Sequence, residues 1–199
     1  MKDNTDNIRL SEQHPFEPFM PSGARILMLG TFPPKRSRWS MEFYYPNFQN
    51  DMWRIMGLIF FGDKEHFVMA GVKRFDEHAV RSFCASRGIA LSDTAVEAVR
   101  MKDNASDQFL EVVKPLDAGA LLGGLPECIA VVATGQKAAE TFAGVVGCEP
   151  PAVGEWTPFA IGERALKLYR MPSSSRAYPL ALEKKAEVYG RMFAAEGLL

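Results

Sequence analysis

Four short apolar runs recur along this chain, and segments with helical character separate them. The runs are Arg25–Leu29 (RILML), Ile89–Leu91 (IAL), Ile129–Ala133 (IAVVA) and Ala165–Arg170 (ALKLYR). Helices are predicted from Asn47 onward and over Asp76–Arg87, Ala118–Leu122, Gln136–Val146 and Leu180–Ala195. Strands that alternate with helices pair in parallel through right-handed crossovers. We therefore predict an α/β fold, a three-layer αβα arrangement with a central parallel sheet of about four strands.

The remaining segments define the extent of the domain. Residues 1–13 are polar and are predicted to form a flexible tail, whereas residues 14–199 form a single α/β domain. Residues 94–113 show a mixed helical pattern around the polar centre KDNASDQ. Residues 147–159 (GCEPPAVGEWTPF) are predicted to be a turn-rich connection.

Composition and motifs exclude several functional classes. The net charge of −1 argues against a histone-like nucleic-acid binder, although it is compatible with an enzyme that has one basic face. The three cysteines contain no CxxC pair, so we expect no metal. The absence of a P-loop and of a GxGxxG motif predicts no nucleotide cofactor in those modes, and the chain also has no GxSxG nucleophile elbow. No apolar run approaches the roughly 20 residues that span a bilayer, and the polar N-terminus lacks a signal-peptide core. We expect a cytoplasmic protein that has no cofactor and no membrane partner and that is a monomer.

The predicted layout brings four loops to one edge of the sheet, where open α/β sheets bind ligands. They are the segment that begins at Gly30, Ser92–Asp93 onward, Thr134–Gln136 and Met171–Tyr178. The first segment is crowded with aromatic residues, namely Trp39, Phe43, Tyr44, Tyr45 and Phe48, and it also carries Lys35, Arg36 and Arg38. Aromatic rings beside cations suit stacking on bases and pairing with phosphates. This edge is therefore the predicted site.

The last loop, Met171–Pro179 (MPSSSRAYP), has a composition that suits phosphate binding. Ser173, Ser174, Ser175 and Arg176 follow a proline directly after a predicted strand. Hydroxyls and backbone N–H groups donate to phosphate oxygens, and Arg can do so bidentately. The pattern fits equally well with a serine-rich turn before the last helix.

Asn50 is the main catalytic candidate. It lies where the first helix is predicted to begin, so it is either an N-cap or a group that holds a water, with Tyr45 as a stacking platform. Trp53 has the phase of a core residue. The histidines His14, His66 and His78 are predicted to lie away from the site edge, so a histidine-based triad or metal site is not expected.

The segment YYPNFQNDMW (44–53) resembles a motif of the uracil-DNA glycosylase superfamily, in particular its mismatch-specific and hypoxanthine-DNA glycosylase branches. Four further blocks resemble the family in the same order along the chain. They are GTFPP (30–34), GIALSD (88–93), VVATGQKAAETF (131–142) and MPSSSRAYP (171–179). The resemblance runs from about residue 14 to the C-terminus.

The resemblance implies a monofunctional DNA glycosylase that flips a deaminated base, uracil or hypoxanthine, out of damaged or mismatched DNA and hydrolyses its N-glycosidic bond in base excision repair. No metal or cofactor is implied. Asn50 would position the attacking water. The base would meet Gly30, Thr31, Phe32, Tyr45 and Thr134. The DNA backbone would meet Lys35, Arg36, Arg38, Ser173, Ser174, Ser175 and Arg176.

The chain also differs from the family at several positions. Phe32 replaces the water-activating Asn of the mismatch-specific branch, Thr134 replaces a base-reading Asn, and Met171 replaces the His of the uracil-specific branch. Asp93 is interpreted as a turn cap in preference to a second water-orienting carboxylate. Two alternatives therefore remain. One is a catalytically silent damaged-DNA-binding protein on the same scaffold, and the other is a small-molecule α/β enzyme.

Overall fold

The computed structural model of the chain describes residues 10–101 and 109–199. The polar centre KDNASDQ and the first nine residues of the predicted tail lie outside the described part. The described strands are β1 (Glu12–Gln13), β2 (Ile26–Gly30), β3 (Ile89–Asp93), β4 (Ala95–Arg100), β5 (Leu110–Pro115), β6 (Ala130–Thr134), β7 (Trp156–Ile161) and β8 (Arg164–Met171). The described α-helices are α1 (Met52–Phe61), α2 (Glu77–Ser86), α3 (Ala118–Gly123), α4 (Gln136–Val146) and α5 (Leu182–Ala195), and Arg36–Arg38 forms a 3-10 turn.

The main sheet has the strand order β3-β2-β6-β8-β7. The first four strands are parallel to their neighbours, and β7 is antiparallel to β8 at one edge. The mixed α/β class agrees with the prediction, but the sheet is not purely parallel. The segment predicted to be a turn-rich connection contains the first four residues of β7, a strand that a sequence pattern misses easily because Pro158 interrupts it. Proline is tolerated in this strand because β7 is an edge strand.

A smaller antiparallel sheet has the order β1-β4-β5. The prediction of a mixed helical region over residues 94–113 was therefore wrong for the described residues. The register of β4 against β5 shifts between Ala95 and Ala98, so the two buried alanines of β4 are three residues apart. A bulge of this kind imitates a helical period. Glu12 and Gln13, the last two residues of the predicted tail, form β1 and pair with β4.

The core is divided into two layers by the main sheet. On one face, Ile26 and Met28 of β2 pack with buried residues of α1, α2 and α5. On the other face, Leu27 and Leu29 pack with α3 and α4. Because helices cover both faces, every residue of β2, β3 and β6 is buried, which explains why these strands appear as continuous apolar runs.

Helix starts and stops follow local chemistry. Asp76 caps α2 by accepting a hydrogen bond from the backbone N–H of Ala79 at 3.0 Å, as its position predicts. Asp117 caps α3 in the same way through Ala120. Gly147 ends α4 in the left-handed conformation, with φ of 71°. Within the described ranges, no helix is long and apolar enough to cross a membrane.

The parallel strands end at a common edge. Gly30, Asp93, Thr134 and Met171 are the last residues of β2, β3, β6 and β8. Gly30 is paired in register with Asp93, and Thr134 with Met171. The loops that follow these residues form the candidate site.

Candidate functional site

One large cavity of about 900 Å³ opens at this edge of the sheet. All four loops predicted to meet there contribute to its lining. The residues predicted for catalysis, base contact or DNA contact that line it are Gly30, Thr31, Phe32, Arg38, Tyr45, Asn50, Thr134, Ser173, Ser174, Ser175 and Arg176. Lys35 and Arg36 do not line it. Arg36 lines a smaller neighbouring groove and forms an exposed ion pair with Glu42.

Asn50 lies two residues before the start of α1 and is half-buried in the cavity wall. Its side-chain Oδ1 accepts a hydrogen bond from the backbone N–H of Met52 at 2.9 Å. Asn50 also forms an antiparallel bridge with Ser175, and the next residue, Asp51, donates its backbone N–H to the carbonyl of Ser174 at 2.9 Å. The main chain thus joins Asn50 to the serine loop.

Ion pairs strengthen this junction. Asp51 is buried, and its Oδ1 accepts a hydrogen bond from Nε of Arg176 at 2.8 Å while its Oδ2 lies 3.6 Å from Nζ of Lys185. Lys185, which is only 1% exposed, donates to the carbonyl oxygen of Ser175 at 2.8 Å. Burial lowers the pKa of Lys185 and the charge of Asp51 raises it, with a net shift below the usual value.

The serine loop has a conformation set by its own side chains. The hydroxyl oxygen of Ser173 accepts from the N–H of Ser175, and that of Ser175 accepts from the N–H of Ala177, both at 3.2 Å. A serine hydroxyl has one hydrogen to donate besides its acceptor sites. These bonds therefore leave the donor function of both hydroxyls available toward the cavity. Ser174 is buried and contributes its carbonyl to Asp51.

Tyr45 forms part of the cavity floor. It has a left-handed backbone, with φ of 52°, which is uncommon for a residue with a bulky side chain. Its ring packs edge-on against Trp53, and its hydroxyl lies 3.0 Å from Oγ1 of Thr134. Oγ1 of Thr134 donates its single hydrogen to the carbonyl of Leu29, so the tyrosine is the donor of the pair. Burial, followed by the charge of Asp93, raises the pKa of Tyr45 well above its usual value, so the hydroxyl stays protonated.

Asp93 and His14 form a buried pair behind the cavity. Nε2 of His14 lies 2.9 Å from Oδ2 of Asp93, and each side chain is 8% exposed. Nδ1 of His14 lies 2.9 Å from the carbonyl oxygen of Phe16. Burial lowers the pKa of His14, but the hydrogen bond and charge of Asp93 together with Phe16 raise it more, for a net increase.

This pair corrects two predictions. His14 was expected to lie away from the site edge, but it contacts a residue of the cavity wall, and the edge of the Phe32 ring packs against it. Asp93 was interpreted as a turn cap after a short strand, but β3 extends through Asp93, and its side chain binds His14 instead. The two residues are 79 positions apart, and no local pattern connects them.

Other lining residues were missed by sequence reasoning. Arg100 pairs with Glu12 at 2.8 Å, donates to the carbonyl of Pro33 and lies 5.5 Å above the Phe32 ring. Lys137 and Arg170 also line the cavity. The sequence did offer a signal for these two residues: Lys137 lies at the start of a predicted helix, and Arg170 is the last residue of a predicted strand. Among the described lining residues, five cations face two carboxylates, Asp93 and Glu140, so the cavity is locally basic although the chain is not.

In the part of the chain that the structure describes, no group of three or more His, Cys, Asp or Glu side chains is arranged to hold a metal ion. The three cysteines are free. Burial raises the pKa of Cys128 to about 11, so its thiol is protonated near neutral pH.

One of three comparisons with known proteins found a protein with a similar architecture. No protein-family model matches the chain, and no curated protein matches it. Among solved structures, it is similar to the solution NMR structure of a protein described as a putative uracil DNA glycosylase from Methanosarcina acetivorans. The TM-score is 0.61, the sequence identity is 19%, and the match covers 93% of this chain and 99% of the other. The two chains share a fold.

Proposed function

We propose that this protein is a monofunctional DNA glycosylase that excises a deaminated base, uracil or hypoxanthine, by base flipping and hydrolysis of the N-glycosidic bond. The observation that carries the proposal is the bridge between Asn50 and Ser175, which holds an amide and a hydroxyl-rich loop on the wall of one cavity. The fold shared with a protein named as a putative uracil DNA glycosylase supports the same conclusion.

In the proposed reaction, different residues of the cavity contact the base, the sugar and the attacking water. A flipped base stacks on the Tyr45 ring and places its edge against the backbone of Gly30, Thr31 and Phe32. Asn50 holds a water for attack on the deoxyribose carbon. One lone pair of its Oδ1 is taken by Met52 N–H, so the second lone pair and the NH₂ group contact the water and the sugar. Stacking and phosphate contacts offset an unstacking cost of a few kcal/mol.

The DNA backbone is proposed to follow the serine loop and the neighbouring basic groove. Ser173, Ser175 and Arg176 face the cavity with donors, while Ser174 holds the loop to Asp51. Arg38 lines both the cavity and the smaller groove, which also contains Arg36, Lys73 and Arg74. Lys35 precedes the 3-10 turn that carries these arginines. The resulting cationic strip suits a phosphate backbone.

One observation favours the second candidate function, a damaged-DNA-binding protein without catalytic activity. The Asn50 side chain accepts a bond from the first turn of α1, which is what a purely structural cap does. A protein without catalytic activity releases no base from either the wild type or the Asn50→Ala variant. If Asn50 positions water, the excision rate falls by about thirtyfold or more, which corresponds to roughly 2 kcal/mol in barrier.

The test is abasic-site formation on duplexes that contain uracil, hypoxanthine or xanthine opposite each normal base. Asp76→Ala provides a matched control, because it removes a side-chain cap from α2, which begins outside the cavity. Both variants should lose about 1 kcal/mol of unfolding free energy as cap deletions, but only Asn50→Ala should lose excision rate. Salt-dependent binding of lesion duplexes without base release identifies the silent binder. Absence of any DNA binding refutes both candidates.

A further inference from the structure

Arg54 is a buried cation to which the proposed reaction gives no task. It lies in the first turn of α1, four residues after Asn50, and it is only 5% exposed. Across residues 10–101 and 109–199, the lining of the cavity and of the smaller groove does not include Arg54, so any effect on a bound base must pass through other residues. Burial of a charge is costly unless the charge is paired and hydrogen-bonded. The partners of this guanidinium therefore indicate its role.

The guanidinium binds the main chain of the turn that carries Asn50. Nη1 of Arg54 donates to the carbonyl oxygen of Phe48 at 2.9 Å and lies 3.5 Å from the carbonyl oxygen of Asn50. The turn is closed by the backbone N–H of Asn50, which donates to the carbonyl of Asn47 at 2.8 Å. Loops and turns are more mobile than the helices and strands that they connect. A buried side chain that contacts two carbonyls of this turn therefore restrains it.

Two aromatic rings fix the position of the guanidinium. Cζ of Arg54 lies 4.4 Å from the centroid of the Phe48 ring and 5.2 Å from that of the Phe75 ring. The two rings contact each other, with their centroids 5.1 Å apart. A cation within about 6 Å of a ring centroid is attracted by the face of the ring, and more strongly where water is excluded. Arg54 therefore holds Phe48 both by its ring and by its carbonyl group.

The connection between α1 and α2 supplies the remaining partners of Arg54. Nε of Arg54 lies 3.6 Å from Oε1 of Glu65, whose side chain is half exposed. Glu65 and Phe75 both belong to this connection, in which Val68 forms a bridge with Phe75. Because an exposed ion pair contributes little, the hydrogen bond to Phe48 and the two rings are the main constraints on the guanidinium.

We propose that Arg54 is a positioning residue that holds the Phe48–Asn50 turn so that the Asn50 amide meets the sugar and the attacking water. This inference rests on the proposed glycosylase function. The bond from Met52 and the bridge to Ser175 restrain Asn50 on the side of α1 and the serine loop. Arg54 restrains the main chain that leads into Asn50. Precise placement affects the reaction rate, because a shift of about 1 Å in a reacting group can cost about 100-fold.

The experiment is a double-mutant cycle on Arg54 and Asn50. Arg54→Met keeps an unbranched side chain and removes the charge and the hydrogen-bond donors. Single-turnover excision, with protein in saturating excess, and the Kd for the same lesion duplex are measured for wild type, Arg54→Met, Asn50→Ala and the double variant. Arg54→Met alone should slow excision about tenfold. Its Kd should stay within about twofold of the wild-type value, because Arg54 does not contact the DNA.

The Asn50→Ala background separates positioning from a merely structural role. If Arg54 acts through Asn50, the double variant should cut within about twofold of the rate of Asn50→Ala alone, because the group to be positioned is gone. If Arg54 only supports the fold, its replacement slows excision by the same factor in both backgrounds. Equal losses in the two backgrounds would overturn the proposal, and so would a wild-type rate in Arg54→Met.

Arg164→Met is a matched control. Arg164 lies at the start of β8, at the end of the strand away from the cavity, and donates to three main-chain carbonyls at 2.7, 2.9 and 2.8 Å, those of Leu122, Leu125 and Cys128. Its replacement should lower Tm and leave the single-turnover rate unchanged. If Arg54→Met fails to fold, Arg54→Lys takes its place in the cycle. Lys keeps the charge but lacks the planar fork of donors, so it should slow excision about threefold in the wild-type background and not in Asn50→Ala.

The same cycle separates this inference from the proposed function. If the wild-type protein releases no base, the glycosylase assignment fails, and this inference fails with it. If Asn50→Ala cuts as fast as wild type, Asn50 is not catalytic and has nothing for Arg54 to position. If the wild-type protein cuts, Asn50→Ala is slow and the two losses multiply, only the present inference is wrong.

Discussion

Replacement of Asp51 by Asn tests how the serine loop is held against the rest of the site. The Asp51 carboxylate lies between two cations: Arg176, half exposed, with Nε at 2.8 Å, and Lys185, fully buried, with Nζ at 3.6 Å. The substitution preserves size and removes the charge. Lys185 then keeps the carbonyl of Ser175 as a neutral partner, but it loses the carboxylate beside it.

The expected cost follows from the different exposure of the two pairs. The exposed Arg176 pair contributes at most about 1 kcal/mol. Removal of one partner from a buried pair costs about 3–5 kcal/mol, because it leaves a buried charge uncompensated. Since Lys185 retains one hydrogen bond, we expect the lower end, about 3 kcal/mol. With an unfolding entropy of about 2.1 cal/mol/K per residue, a chain of this length should lose about 7 °C in Tm.

The assay is urea denaturation at pH 7 followed by circular dichroism, with Tm from calorimetry. The control is the double variant Asp51→Asn/Lys185→Met, which removes the stranded cation and should recover most of the lost free energy. The reasoning is refuted if Asp51→Asn costs less than about 1 kcal/mol, or if the double variant is as unstable as the single one. Either result would mean that Lys185 is compensated elsewhere.

Two further predictions concern charge. The raised pKa of His14 means that its pairing with Asp93 stabilises the fold fully below about pH 6.5 and loses this effect as pH rises through the folded-state pKa. The difference in unfolding free energy between wild type and His14→Gln should therefore shrink from pH 5 to pH 9. For DNA binding, Arg38→Gln should lower the slope of log K against log salt by about 0.9, and exposed Arg191→Gln should leave it unchanged. Equal slopes for wild type and Arg38→Gln would remove Arg38 from the DNA contact.

The local sequence was sufficient to predict the strands in which every residue is buried. The strands β2, β3 and β6 are covered on both faces, so they appear as apolar runs whichever side each residue faces. The helix α4 has the predicted bounds, and Asp76 is the predicted cap of α2. These features depend on residues within a few positions of one another, which a linear pattern records.

Strands that contain a bulge or a proline were not predictable in this way. A bulge in β4 gave its buried alanines a helical spacing, and Pro158 concealed the edge strand β7. Their pairing is stabilised by neighbours distant in sequence rather than by their own residues. A pattern read along the chain contains no information on those neighbours.

The candidate site also has features that the sequence indicated and features that only the tertiary structure decided. The sequence alone indicated which loops leave the parallel strands, and the residues of those loops that line the cavity include Asn50 and the serines. Only the tertiary structure decided how they are held: Asn50 by Ser175, Arg176 by Asp51, and Asp93 by His14. These contacts join residues 79 or more positions apart, and they form only after the sheet has brought its strand ends together. Which side chains meet across a site is therefore a property of the packed fold, whereas which segments reach it can be read from the order of strands and helices.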